Sequence, residues 1–217
     1  MNKNISKIHE EVLDSKRKVL LKNLIPHTRG YILGGGTALA LQLAHRKSFD
    51  FDFFCSDPIP KNFLEKLSEV LEISTISVDS SEELTFFTKD KIKLTFLYYP
   101  FGYAFPLITL ENGLTLFPVK DIAIKKAYTI GRRGEYRDYF DLYAILNSGY
   151  IGLLSLIEET KKIYGSVFEE KIFLQQLTYF GDLLNFEIIP VDKKPIPSPE
   201  KVKQFLEEEV KKYLDIS

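Results

Sequence analysis

The sequence predicts an α+β protein: a mixed β-sheet with flanking helices, followed by a C-terminal helical region. Three observations point there. Short segments rich in β-branched and aromatic residues crowd the stretch before Pro118. From Pro118 onward the apolar spacing becomes helical. Four prolines in 188–199 then mark a loop inside that helical half. With 217 residues, the chain suits an α/β core over 1–117 and a helical region over 118–217, against a soft prior of ~150 residues per domain. Such a length buries roughly 70% of the unfolded surface, so folding needs no disulfide or metal staple.

The elements follow in order. Ile5, Ile8, Val12, Val19 and Leu20 keep helical spacing and predict an amphipathic helix over 5–24, ended by Pro26. Tyr31-Ile32-Leu33 reads as a short strand stopped by Gly34-Gly35-Gly36. Thr37 is placed to cap a helix running through Ala44. Residues 49–54 alternate aromatic with acid, the period of a strand. Pro60 suits a first helical position, and Phe63, Leu64, Leu67, Val70 and Leu71 give that helix an apolar face. Segments 73–78, 84–88, 91–97 and 107–117 read as a meander completing the sheet. Helices are expected over 118–130, 136–147, 152–163, 167–179 and 199–214.

Composition narrows the function. Twenty-nine Lys and Arg against 30 Asp and Glu leave a formal charge of −1, which argues against a chain that coats nucleic acid by charge alone. Cys55 stands alone, excluding a disulfide framework and a cysteine-based zinc site, and three scattered His residues show no metal-binding spacing. No apolar run approaches the ~18 residues of a membrane span, and MNKNISKIHEEV does not read as a signal peptide. The expected address is the cytoplasm, with no membrane partner.

The sharpest chemical feature is Gly34-Gly35-Gly36-Thr37 followed by Asp50-Phe51-Asp52. Residues two apart on a strand share a face at ~7 Å between Cα atoms, so Asp50 and Asp52 point the same way while Phe49, Phe51 and Phe53 pack the other side. Two adjacent carboxylates repel and call for a cation or strong donors. A divalent metal held through oxygen is the natural partner, and Mg²⁺ commonly shares such sites with substrate phosphates. A glycine turn opening a helix offers N–H groups to an anion. Together these describe phosphoryl or nucleotidyl transfer. Rival glycine motifs fail: no Lys follows before Lys47, as a P-loop requires, and Leu39 stands where a dinucleotide fingerprint needs glycine.

Two segments resemble a known family. Gly35-Gly36-Thr37-Ala38-Leu39, then His45-Arg46, Ser48 and Asp50-Phe51-Asp52-Phe53-Phe54, is similar to the nucleotidyltransferase signature of the AbiEii/AbiGii-type toxins. These belong to the polymerase-β-like nucleotidyltransferase superfamily. Asp121-Ile122-Ala123, Lys126, Arg133, Arg137-Asp138-Tyr139 and Asp141-Leu142 resemble the family's helical lysine motif and the Lys/Arg-Asp-x-x-Asp-Leu motif that follows.

The resemblance implies a nucleotidyltransferase-like sheet and a Mg²⁺-dependent (alternatively Mn²⁺-dependent) enzyme. Such an enzyme moves a nucleoside monophosphate from an NTP to an acceptor such as tRNA or another RNA. It also implies a toxin neutralised by a cognate antitoxin protein. Gly35, Gly36 and Thr37 would hold the triphosphate, with Lys126 and Arg133 as further nucleotide contacts. Asp50 and Asp52 would be the metal ligands and, with Lys126 and Asp138, the catalytic set, Asp138 orienting the acceptor or tying Lys126 in place. On spacing alone, Lys126 and Arg133 share a helix face if the helix runs that far, whereas Gly131 would end it first. Asp138 and Asp141 are co-facial. Taken alone, Lys126 also reads as an ordinary surface lysine beside Lys125.

One departure stands out. The superfamily commonly carries a third carboxylate on a neighbouring strand, and the segment Lys91-Ile92-Lys93-Leu94-Thr95-Phe96-Leu97 has none, Thr95 lying about where an acid is expected. That keeps two other functions in view. One is a catalytically impaired nucleotide-binding or regulatory protein on the same scaffold. The other is a transferase acting on a small molecule or a protein. Residues 98–103 offer an aromatic cluster that reads as core plus turn or as a base-stacking surface. Lys161-Lys162 and Lys211-Lys212 read as solvated helix faces, and Cys55 as a small buried hydrophobe.

Overall fold

The computed structural model describes residues 8–130, 132–192 and 194–216. Two compact units emerge, one reaching Gly102 and including Pro106–Pro118, the other made of Tyr103–Phe105 and the chain from Val119 onward.

Among the described residues, the first unit is a seven-stranded mixed sheet with three α-helices. Helix α1 spans Ser15–Leu24, with the Asp14 side chain accepting from the Arg17 N–H as its cap. The expected opening helix was longer. Residues 5–7 lie outside the described part, Glu10–Val12 form a 3₁₀ turn, and the α-helix starts only after Asp14. Asp14 is a strong cap because its carboxylate satisfies an orphan N–H of the first turn. Pro26 does end the helix, in a 3₁₀ turn at Ile25–His27.

Strand β1 (Ile32–Leu33) leads into α2 (Gly35–Leu43), and the chain returns as β2 (Phe51–Cys55). Helix α2 begins earlier than expected. Gly34 is its cap without a side-chain bond, and Thr37, expected as the cap, lies inside the first turn. Asp50 precedes β2 by one residue rather than lying within it. Helix α3 (Phe63–Ser68) starts three residues after Pro60, whose carbonyl accepts from the Phe63 N–H at 2.9 Å.

The meander supplies β3 (Ile73–Asp79), β4 (Glu83–Thr88), β5 (Lys93–Tyr98), β6 (Ile108–Thr109) and β7 (Thr115–Leu116). The order across the sheet is β3-β4-β5-β2-β1-β7-β6. Strand β2 therefore lies between an antiparallel β1 and a parallel β5. One edge is the seven-residue β3, mostly exposed and carrying two register irregularities against β4, and the other is the two-residue β6.

Alternation along β2, β4 and β5 builds the core. Phe51, Phe53, Phe86 and Phe96 are fully buried. Phe96 is central: it stacks on Phe53 at 5.2 Å and on Phe86 at 6.3 Å, and Tyr31 and Phe63 meet it edge-on. Burying such a side chain contributes on the order of 1.5–3 kcal/mol, and offset aromatic pairs add to that. Tyr99 packs against Phe54, Phe101 and Phe117, whereas Tyr103 is exposed.

The second unit is helical. It holds α4 (Val119–Thr129), α5 (Tyr136–Asn147), α6 (Leu153–Tyr164), α7 (Glu170–Thr178) and α8 (Pro199–Ile216). Helix α4 packs on both α5 and α6, and α8 closes on α5, α6 and α7. Buried Asp121 on α4 accepts from the N–H groups of Ala104 (2.7 Å) and Phe105 (3.1 Å), which fastens Tyr103–Phe105 to this unit. Among the described residues, no helix is long and apolar enough to cross a membrane.

Phe96→Ala empties the centre of the aromatic cluster and is expected to cost about 3–5 kcal/mol, with Phe96→Leu retaining most of that, as read by chemical denaturation.

Candidate active site

The glycine turn meets the acidic strand because β1 and β2 run antiparallel with Leu33 opposite Phe53. The end of one strand then abuts the start of the other, and the Gly34 N–H donates to the Asp52 carbonyl at 2.8 Å. Gly35 has φ +62°, a region that favours glycine. A side chain there would also collide with the Asp52 carboxylate, whose Cγ would lie 3.2 Å from the added Cβ. A Cβ on Gly36 would overlap the Arg46 guanidinium and sit 3.2 Å from Ser48 Oγ. The two glycines thus make room for a carboxylate and a cation packed against the turn.

Around this turn the polar groups interlock. The Thr37 hydroxyl donates to the Asp50 carbonyl and lies 2.9 Å from Ser48 Oγ, fixing the backbone just ahead of β2. Arg46 is buried and donates from Nη1 to the Lys47 carbonyl at 2.9 Å. On the other side, Arg17 of α1 donates from Nε to the Phe49 carbonyl at 2.8 Å and covers the Phe49 ring at 4.9 Å. The backbone presenting Asp50 is therefore held from two directions. Asp50 and Asp52 themselves are half-buried, alternating with buried Phe51 and Phe53.

These two carboxylates could hold a divalent cation. No group of three or more His, Cys, Asp and Glu suited to a metal is found among the described residues. A two-carboxylate donor set fits Mg²⁺, which keeps several waters and takes oxygens from substrate phosphates, better than an all-protein metal cage.

Register also locates the departure on the neighbouring strand. Thr95 of β5 lies directly opposite Asp52, and Thr85 of β4 directly opposite Thr95. Asp90 falls in the turn before β5 and is paired with Lys16 at 2.5 Å. Two residues before Thr85 on β4, Glu83 accepts from the Thr85 hydroxyl through Oε1 at 2.7 Å. Sequence reading missed Glu83 because alternation assigns a face along a strand but not which strand lies beside it.

The second unit gathers the remaining site residues. Lys126 Nζ bonds Asp138 Oδ1 at 2.5 Å and Asp141 Oδ2 at 2.7 Å, and Arg133 donates to both Asp138 oxygens, at 2.7 and 3.0 Å. Asp138 and Asp141 share a face of α5 through their i, i+3 spacing. Asp141, with a side chain 0% exposed, was legible as a face neighbour but not as a lysine partner. Lys126 is buried rather than an ordinary surface lysine. Helix α4 ends at Thr129, so Lys126 and Arg133 do not share a helix face, and Arg133 reaches Asp138 from beyond the helix. Gly131 lies outside the described residues.

Burial alone would push the Asp138 carboxyl up, but Lys126 and Arg133 outweigh it and hold the group below its ordinary value. The neighbouring Lys125 behaves oppositely: burial brings its ammonium down to about 7, with Asp121 only partly offsetting it. The paired lysines elsewhere are exposed helix surface, Lys161 with Glu170, Lys162 with Glu159 and Lys212 with Glu209. Cys55 is a buried thiol, raised by burial first and by Asp57 second.

This sheet with its flanking helices is a nucleotidyltransferase fold. The nucleotidyltransferase structure from H. pylori is similar over 94% of this chain and 99% of its own, at TM-score 0.57 and 19% identity. JHP933 from Helicobacter pylori is similar over 96% and 97%, at TM-score 0.50 and 18% identity. The chain belongs to the AbiEii nucleotidyltransferase toxin family, whose model, described as the nucleotidyl transferase AbiEii toxin of a type IV toxin–antitoxin system, matches residues 19–111. It is also 31% identical over 193 residues to the protein aq_aa25 of Aquifex aeolicus, covering 85% of this chain and 88% of that one.

Lys126→Met leaves two buried carboxylates with their main counter-ion removed, an expected loss of about 3–5 kcal/mol at neutral pH. Because Asp138 is held below its unfolded value, its contribution is complete above that value, near pH 4, and disappears as pH falls through the folded one. Urea denaturation at stepped pH should accordingly show wild type weakening below about pH 4, with a shallower slope for Asp138→Asn.

Proposed function

We propose that this chain transfers a nucleoside monophosphate from an NTP to an acceptor hydroxyl in a Mg²⁺-dependent reaction, with Mn²⁺ as an alternative ion. The acceptor oxygen forms a bond to the α-phosphorus, and the bond from that phosphorus to pyrophosphate breaks. The observation that carries this reading is the Asp52 carboxylate packed against Gly35 at the opening of α2, with Asp50 two residues earlier. N–H groups at the opening of a helix favour phosphate oxygens, so Gly35, Gly36 and Thr37 are the triphosphate contacts. Asp50 and Asp52 are the metal ligands, and the ion, when bound, neutralises charge on the phosphates.

In the second unit, Lys126 and Arg133 are the cationic nucleotide contacts, and Asp138 with Asp141 sets the position of the lysine. Two carboxylates against one ammonium fix its location while lowering its net field. The acceptor in this reading is RNA, foremost tRNA, and membership of a type IV toxin–antitoxin family supports a cognate antitoxin as protein partner. The cytoplasm is the compartment where those partners meet. The absence of an acid on β5 favours a second reading, a nucleotide-binding or regulatory protein that no longer transfers.

The test supplies each of the four labelled NTPs with Mg²⁺ or Mn²⁺, using total tRNA and the protein itself as acceptors. Label is expected on RNA and should vanish in the Asp50→Ala/Asp52→Ala variant. Label on the protein alone would move the acceptor class away from RNA. NTP binding without transfer would establish the binding protein instead.

A further inference from the structure

Arg132, one residue before Arg133, is pinned through both terminal nitrogens of its guanidinium. Nη1 donates to the Tyr128 carbonyl in the last turn of α4 at 2.6 Å, and Nη2 to the Val167 carbonyl at 2.9 Å. Val167 lies in the 3₁₀ turn Gly165–Val167 that follows α6. The Arg132 N–H donates to the Thr129 carbonyl at 3.0 Å, so the backbone is held as well. The guanidinium covers the Tyr128 ring with Cζ 3.8 Å from its centroid. Tyr128 in turn stacks on buried Tyr164 of α6, at 4.0 Å and with the planes 5° apart. Three flat groups thus form a pile, with Tyr164 beneath, Tyr128 between and Arg132 on top.

The top of this pile is a surface. Arg132 is exposed, and among the described residues no second ring and no carboxylate meets it. With one plane on Tyr128, its other plane is offered to solvent. Carbonyl acceptors leave its charge in place, whereas Asp138 balances that of Arg133. A guanidinium plane is a stacking partner for nucleobases, and an unneutralised one also favours the phosphates attached to them. Holding the plane in place beforehand lowers the ordering cost of binding.

We propose that the outer plane of Arg132 is a nucleobase-stacking site, with Tyr128 and Tyr164 as its support. This rests on the reading of Arg133 as a nucleotide contact and deepens it. Arg133 follows directly in the chain, so a base on Arg132 has phosphate-binding charge beside it. The base belongs to the NTP or to the acceptor's terminal nucleotide, and both present the same flat face. Every base has such a face, so the site holds a nucleotide without selecting among the four.

The experiment measures binding by calorimetry in Mg²⁺ for wild type, Arg132→Lys, Arg132→Ala and Arg133→Ala, with melting temperature as a control on folding. The probes are two pairs. One is ATP against ribose 5-triphosphate, which has no base. The other is a short single-stranded RNA against the same strand with an abasic 3′ end. In wild type the base should strengthen binding in one pair by about 10-fold, within the range of a stacked base. Arg132→Lys keeps the charge and loses the plane, so it should erase that difference while binding the baseless probe within about twofold of wild type. Arg132→Ala should erase the difference and weaken the baseless probe too. A loss in the ATP pair assigns the base to the NTP, and a loss in the RNA pair assigns it to the acceptor. Wild type that binds both baseless probes as tightly as their counterparts overturns the site, as does an Arg132→Lys variant that keeps the difference. Arg133→Ala separates the two failures. Unchanged ATP affinity there removes the nucleotide-contact reading and the stacking site with it. Weakened ATP binding there, beside an undiminished base effect in Arg132→Lys, removes the stacking site alone.

Discussion

Two missing Cβ atoms govern the first unit. At Gly35 the vacant volume is taken by the Asp52 carboxylate, and at Gly36 by the Arg46 guanidinium. The glycine turn is therefore a packing requirement of charged side chains before it is anything else, and its capacity to admit phosphate follows from the same bareness. The antiparallel match of Leu33 with Phe53 sets the distance over which this packing can occur. Thr37, whose hydroxyl also meets Ser48, then holds the Asp50 carbonyl, and Arg17 holds that of Phe49. A displaced register would separate all of these at once, because a one-residue slip turns every side chain of β2 to the opposite face.

The second unit solves a different problem, burying charge inside a helical bundle. Lys126, Arg133, Asp138 and Asp141 carry two positive and two negative charges, so the cluster is formally neutral. Removing such groups from water costs several kcal/mol per ion, and the bidentate Arg133 contact and the shared ammonium offset that cost by geometry. The stabilisation that results is small, but the geometry is narrowly defined. A lysine clamped by carboxylates from two successive positions on one helix face has few places left to go.

Much of this was legible in the chain. Hydrophobic alternation located β2 and the meander, and the Gly-Gly-Thr with Asp50 and Asp52 named the first unit's polar set, because these features are local. The failures were failures of reach. The opening helix was drawn too long because apolar spacing ran on through residues 8–12, whereas Asp14 caps the α-helix only afterwards. Thr37 was assigned as a cap because hydroxyl residues favour that position, but tertiary partners at Ser48 and Asp50 claim its hydroxyl. Lys126 could be read as a surface residue until α5 supplied its two acids. Glu83 escaped for the plainest reason: neighbours across a sheet are fixed by strand order, which no local pattern encodes.

The sheet's two edges have unequal futures. Strand β6 is two residues long and offers almost no template for a further strand. Strand β3 is seven residues long, and its Ile73-Ser74-Thr75-Ile76-Ser77-Val78 run carries neither charge nor proline. An open edge of that composition invites another copy to continue the ladder. Apart from Asp79 at its end, the strand is blunted by shape, since the irregularities at Ile73/Thr75 and Ile76/Val78 break the even spacing of ladder bonds a newcomer would need. Any change that straightened β3 would therefore be felt first as lost colloidal stability in concentrated solution, with the chemistry of the glycine turn untouched.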